Sequence, residues 1–225
     1  HQKLFLLAKK YKKKYSLKVG VLTFEPMPKM FFNKNLTNFR ISSLEQKINF
    51  LKNLKVDFII IKKFDKKFSK MKSITFIKKT LGKRLKPKFI FVSNNFRFGN
   101  KREGDINMLK SYEKLYNYKL IIPPPLKKDN NIISSTLIRK LLSNGNLAKA
   151  NKYLSRNWEI EGYIEKGRKV GRKIGFATCN INIGDYVISR PGVYAVKVKL
   201  ERISKQINGI ANLGYRPTFN QNKIL

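Results

Sequence analysis

Apolar positions change their period along the chain, and that change divides it in two. Over residues 2–15, Leu4, Leu7, Ala8 and Tyr11 recur at helical spacing among lysines, which predicts an amphipathic helix. "LKVGVLTF" (17–24) is a short apolar run ending in the proline-containing loop "EPMPKMFF", the pattern of a buried strand. The same alternation then repeats. "SLEQKINFLKNL" (43–54) reads as a helix, with Ser43 as a candidate cap and Glu45 and Gln46 in its first turn. "VDFIIIKKF" (56–64) is a second strand and "MKSITFIKKTLGKRL" (71–85) a helix. "PKFIFVS" (87–93) is a third strand, followed by the polar loop "NNFRFGNKREGD". "INMLKSYEKLYNY" (106–118) is helical, "KLIIPPP" (119–125) a fourth strand closed off by prolines, and "SSTLIRKLL" (134–142) the next helix.

Strands that are apolar throughout and alternate with helices predict a parallel sheet covered on both faces. Ligands of such sheets bind beyond the carboxyl ends of the strands. Three loops fall there: "EPMP", "NNFRFG" and "ISST". From about residue 153 the pattern shifts to short alternating strands, "WEIEGYIEKG", "KIGFATCNINIG", "GVYAVKVKL" and "INGIANLGYRPTF", separated by Gly, Asn and Pro. This predicts a second, all-β domain built as a small barrel. "SNGNLAKANKYLSRN" (143–157) supplies the helix and connection leading into it. The expected boundaries are 1–152 and 153–225.

Composition narrows the class without deciding the function. A hydrophobic share of 42% with 16 Phe and 10 Tyr belongs to a folded protein. No apolar run approaches the ~20 residues that cross a bilayer, and no secretory signal is evident, so no membrane partner is expected. The single cysteine, Cys179, excludes an internal disulfide and is compatible with a reducing cytoplasm. The net charge of +37 is extreme. A polyanion partner such as RNA would account for it. So would drift toward AT-rich codons, because Lys is accompanied by abundant Asn, Ile, Phe and Tyr. The lysines are spread along the chain, which favours drift, and nucleic acid is not expected. The start at His1 without Met and the apolar ending "NQNKIL" lead us to expect a piece of a longer protein.

Three stretches could carry chemistry. Ser134, Ser135 and Thr136 precede the helix that bears Arg139. Hydroxyls, the free N–H groups of a helix start and a guanidinium one turn on make a phosphate cradle; a capped helix with a surface Arg would leave the same pattern. "NNFRFG" places Asn95, Arg97 and Gly99 at a strand end, where its two aromatics either pack beneath the loop or contact a ring. "GRKVGRKIGFATCN" (167–180) carries glycines at 167, 171 and 175, with Thr178 and Asn180 at i and i+2. On a strand those two share a face and could meet one magnesium-bound phosphate, though a hairpin without ligand fits as well. The stretch is not a P-loop. One Cys and one His leave no case for zinc.

In this order the segments resemble the bacterial bifunctional riboflavin kinase/FMN adenylyltransferases, or FAD synthetases. "HQKLFLLAKK" resembles the stretch that begins at the second His of the family's H-x-G-H motif. "TFEPMP" is similar to T-F-E-P-H-P, "FVSNNFRFG" to V-G-x-[DN]-F-x-F-G and "ISSTLIR" to I-S-S-T-x-I-R. "GRKIGFATCNI", "PGVYAV" and "GIANLGYRPTF" continue the likeness, which spans essentially the whole chain. It implies a Rossmann-like nucleotidyltransferase domain that transfers AMP from ATP to FMN, followed by a barrel that phosphorylates riboflavin, both with Mg2+. It further implies that Ser135, Thr136 and Arg139 grip the ATP phosphates, that His1 stabilises charge at the α-phosphate, and that Asn95 helps hold the nucleotide. Pro26 and Pro28 would border the flavin, while Gly171, Thr178 and Asn180 would bind Mg-ATP in the kinase domain.

Several positions depart from the family pattern. Met27 stands in place of a His, Ser93 of a Gly, Ala177 of a Pro and Cys179 of an Ala, and Ile132 sits where a basic residue is common. The likeness leaves the first strand, its phosphate loop and the kinase glutamate outside the 225 residues. The expectation is therefore low activity from this chain alone.

Overall fold

The leucine-studded N-terminal run folds as helix α1, Gln2–Tyr15, at the expected residues. A computed structural model describes residues 2–165, 178–201 and 205–214. The chain divides into two compact units, one of 1–35 with 44–133 and the other of 36–43 with 134–225.

In the first unit β1 (Gly20–Glu25) pairs in parallel with β2 (Phe58–Lys63), Gly20 opposite Phe58 and Glu25 opposite Lys63. Between them lie α2 (Pro28–Phe32) and α3 (Leu44–Asn53). After β2 come α4 (Lys66–Ser69) and α5 (Ser73–Thr75), the latter continuing as a ten-residue π-helix, Phe76–Leu85. Strand β3 (Phe89–Phe91) pairs in parallel with β4 (Lys119–Ile121) across α6 (Ile106–Ser111) and α7 (Glu113–Tyr116). A hairpin of β5 (Lys127–Lys128) and β6 (Asn131–Ile132) turns at Asp129 and Asn130, both at positive φ, the conformation a two-residue hairpin demands.

The expected parallel strands are therefore present, but as two separate pairs among the described residues. They are also less buried than uniformly apolar runs suggest: Phe58 and Ile61 of β2 are exposed. Each of these four strands is paired along one edge only among the described residues. The core gathers instead around Phe76, Ile77 and Leu81 of the π-helix, with Val92 and Leu109. Leu22, Ile90 and Leu120, one from each of β1, β3 and β4, pack against it. Helix α1 joins through Tyr11, whose ring meets Phe89 and Phe91 edge-on. Its Lys12 pairs with Asp57 at 2.5 Å, and Asp57 also accepts from the Val19 N–H. Those two bonds, Lys12 first, hold the carboxyl below the usual aspartate range.

The second unit holds α8 (Ser135–Ser143) and α9 (Leu147–Leu154), packed through Ile138, Leu142, Ala150 and Tyr153. Its strands form two antiparallel ribbons, β7 (Ile164–Glu165) with β8 (Asn180–Ile181) and β9 (Gly192–Val198) with β10 (Ile207–Leu213). The described residues form no closed barrel. Segment 36–43, from the first half of the chain, belongs to this unit. Arg40 makes a parallel bridge to Tyr186, and its N–H and C=O bond the Asp185 carbonyl and the Val187 N–H. Asn38 donates to Gly184 and Tyr186, Arg156 donates to the Ser42 hydroxyl, and the Trp158 indole donates to the Ile41 carbonyl.

Candidate functional site

A helix start leaves four N–H groups unpaired, and one short polar side chain at the N-cap satisfies the first of them. At α8 that residue is Ser134, whose extended backbone lets its Oγ accept from the Leu137 N–H at 3.1 Å. Ser135 and Thr136 follow as the first two helical residues. Both are exposed. Neither hydroxyl bonds another described residue, so one of the three hydroxyls caps and two remain available. Arg139 lies four residues after Ser135 and three after Thr136, on the same helical face.

Segment 36–43 shapes that arginine. Its Nε donates to the Phe39 carbonyl at 2.7 Å, and its guanidinium carbon lies 3.6 Å from the centre of the Phe39 ring. Burial lowers the Arg139 pKa from its ordinary value, yet a guanidinium keeps its charge in proteins. Its Nη1 and Nη2 bond no other described residue. Two open hydroxyls, a helix start and a half-buried cation thus share one face, which is the chemistry of a phosphate-binding surface.

In the first unit Pro28 opens α2, with Met27 at its N-cap position and Pro26 just before. Beside this turn the rings of Phe31, Phe32 and Phe64 meet edge-on at 5.2–5.7 Å, and Phe32 is 67% exposed. The only sequence signal of this aromatic shelf is the "FF" that begins three residues beyond Pro28. Asn95 is exposed, and its side-chain oxygen accepts from the Ser93 hydroxyl at 2.8 Å. Phe96 and Phe98 stack on each other and pack against the core, which settles their role as a plug beneath the loop.

That loop is rigidly built. Arg97 pairs with Asp105 at 3.0 Å, Asp105 caps α6 through Met108, and Phe98 and Gly104 exchange backbone bonds. Gly99 has a φ of +77° and lies so close to Ser73 that a Cβ would come within 2.7 Å of its backbone. Only glycine meets both demands.

In the second unit Asn180 opens β8 opposite Glu165, with Thr178 exposed two residues before it. Their oxygens are hard, neutral donors of the kind that share a magnesium ion with phosphate. No acidic or histidine cluster suited to holding a metal by protein ligands alone occurs among the described residues. Thr178 precedes the two-residue strand β8, so the strand face expected to be shared by the pair does not extend to it. His1 and Gly171 lie outside the described residues, as does Ala177. No helix among the described residues is long and apolar enough to cross a membrane.

Comparison with known proteins gives two family matches along the chain. A family model described as FAD synthetase matches residues 1–137, and one described as riboflavin kinase matches residues 154–225. The bifunctional riboflavin kinase/FMN adenylyltransferase of Buchnera aphidicola from Acyrthosiphon pisum is 39% identical, covering 100% of this chain and 72% of its own length. The enzyme of the same name from the Schizaphis graminum strain is 38% identical over 99% of this chain and 72% of its own length. A crystal structure described as a macrolide-efflux protein from Streptococcus pneumoniae shares the fold, with a TM-score of 0.83 and 27% identity over 100% of this chain and 72% of that one. The chain belongs to the bifunctional riboflavin kinase/FMN adenylyltransferase family.

Proposed function

We propose that this protein makes FAD in two steps, phosphorylating riboflavin to FMN and then adenylylating FMN. The adenylyltransferase half runs over residues 1–152 as a Rossmann-like domain, and the kinase half over 153–225 as a small barrel. The two family matches support that division, and the two antiparallel ribbons are compatible with a barrel. In the first reaction the terminal ribityl hydroxyl of riboflavin forms a bond to the γ-phosphorus of ATP as the β–γ phosphoanhydride breaks, and ADP and the hydroxyl proton leave. In the second, a phosphate oxygen of FMN forms a bond to the α-phosphorus of a second ATP as the α–β phosphoanhydride breaks, releasing pyrophosphate.

Both are displacements at phosphorus, where a protein contributes mainly positioning and charge neutralisation. Ser135, Thr136 and Arg139 hold the phosphates of the adenylylating ATP at the start of α8. Asn95 offers its amide to the nucleotide, and His1 balances charge at the α-phosphate. Pro26 and Pro28 border the flavin, and the neighbouring Phe31 and Phe32 offer its flat ring an apolar shelf. In the kinase half Gly171 would let backbone approach the nucleotide, and Thr178 and Asn180 would hold the Mg2+ that comes with ATP, which would supply neutralisation of phosphate charge. The substrates are small and water-soluble, which suits a cytoplasmic enzyme.

The observation that carries the reading is the α8 start, where two hydroxyls stay open beside a stacked, half-buried Arg139. Assays that begin from FMN or from riboflavin separate the two halves. Arg139→Ala should lower FAD formation from FMN by about 100-fold and leave riboflavin phosphorylation intact. Asn180→Ala should do the reverse. Equal losses of both activities in Arg139→Ala would overturn the assignment.

A further inference from the structure

A phosphate-binding arginine must be held with its terminal nitrogens free, because an unconstrained side chain loses up to about 2 kcal/mol of rotamer entropy on binding. Arg139 is constrained by a single residue from a distant part of the chain. Phe39 supplies both contacts: its carbonyl takes the Nε–H at 2.7 Å, and its ring lies under the guanidinium at 3.6 Å. Phe39 is itself fixed by its neighbours. Asn38 bonds the Gly184 and Tyr186 carbonyls, Arg40 bridges to Tyr186 and pairs with Asp185 at 3.5 Å, and Ile41 accepts from the Trp158 indole. A flat ring clamped on one side and a carbonyl on the Nε edge together fix the guanidinium plane. They engage none of the outer N–H groups, the ones a phosphate takes in pairs.

We infer that Phe39 is the positioning residue for Arg139, orienting its guanidinium for phosphate before the nucleotide arrives. The inference rests on the assignment of Arg139 to ATP. A ring in this role is not interchangeable with an aliphatic side chain of similar bulk, since a cation binds the ring face electrostatically. Tyr preserves that face, whereas Leu or Met does not.

The test follows the Arg139 Hε resonance of the full chain by two-dimensional NMR while ATP is added; Arg139→Lys identifies the signal by removing it. This readout reports the α8 site separately from the kinase nucleotide site. The wild type should show a saturable shift. Phe39→Leu should keep the fold but weaken the apparent affinity about fivefold, and Phe39→Tyr should restore it. Phe39→Met serves as a second ringless variant, so that a local packing fault in Phe39→Leu cannot decide the outcome. Saturation with unchanged affinity in both ringless variants would overturn the positioning role and leave the ATP assignment standing. A resonance that ignores ATP in the folded wild type would overturn the ATP assignment, and the inference with it.

Discussion

At the scale of single residues, five of the scarce acids hold backbone. The chain has 13 Asp and Glu against 50 Lys and Arg. Asp57, Asp65, Glu103, Asp105 and Glu113 each accept from a main-chain N–H. Tyr118 shows the opposite electrostatic sign. Its hydroxyl is buried and donates to the Leu109 carbonyl, and burial, with Glu113 nearby, pushes its pKa from the ordinary 10.0 to about 12. The fold therefore favours the neutral phenol. Its contribution is whole below the unfolded pKa of 10.0 and is lost as pH rises through the folded value of about 12. Tyr118→Phe should cost about 1 kcal/mol near neutrality. Denaturant titrations at stepped pH should show that difference constant up to pH 10 and shrinking as pH approaches 12. Curves that stay parallel throughout would refute the shift. None of this is legible in the sequence, because "YNYKL" does not reveal which tyrosine meets a carbonyl.

At the scale of elements, the hydrophobic period was a faithful guide to helices and strands, and a poor one to their ends and company. Helix α1 and strands β2 to β4 lie inside the runs that announced them, and β1 runs one residue past its own, to Glu25. The π-helix was not legible: "FIKKTLGKRL" has ordinary helical spacing, and its wider turns are a matter of backbone pairing. Where a small barrel is expected from residue 153, the described residues form two ribbons and no closed barrel, since alternation shows that strands exist without showing how many join. Helix α8 is where element and chemistry meet, and it permits a sharp separation. Ser134→Ala removes the bond to the Leu137 N–H and should lower stability by about 1 kcal/mol, read as a fall in Tm. Ser135→Ala and Thr136→Ala remove no such bond. They should change stability by less than about 0.5 kcal/mol while raising the KM for ATP in FAD formation. A Tm loss in all three with no change in KM would assign every hydroxyl to capping.

At the scale of the whole molecule, family membership was legible because short motifs kept their order across both halves. The start of α8 was legible for the same reason, since hydroxyls and an arginine at helical spacing are local. What escaped was non-local. Phe39 lies 100 residues before Arg139, and nothing in "NLTNFRISS" announces that this segment joins the second unit. The +37 charge is carried by lysines and arginines spread along the chain, not gathered in one tail. The central claim is that this chain recognises flavin and ATP by shape and directed bonds, whatever its charge. The most direct test is to titrate FMN fluorescence with the purified, folded chain and Mg-ATP at low and at high salt. The account predicts saturable quenching that survives salt, because a stacked flavin ring and buried contacts are weakly screened. Quenching that is absent, or that disappears as salt is raised, would contradict it.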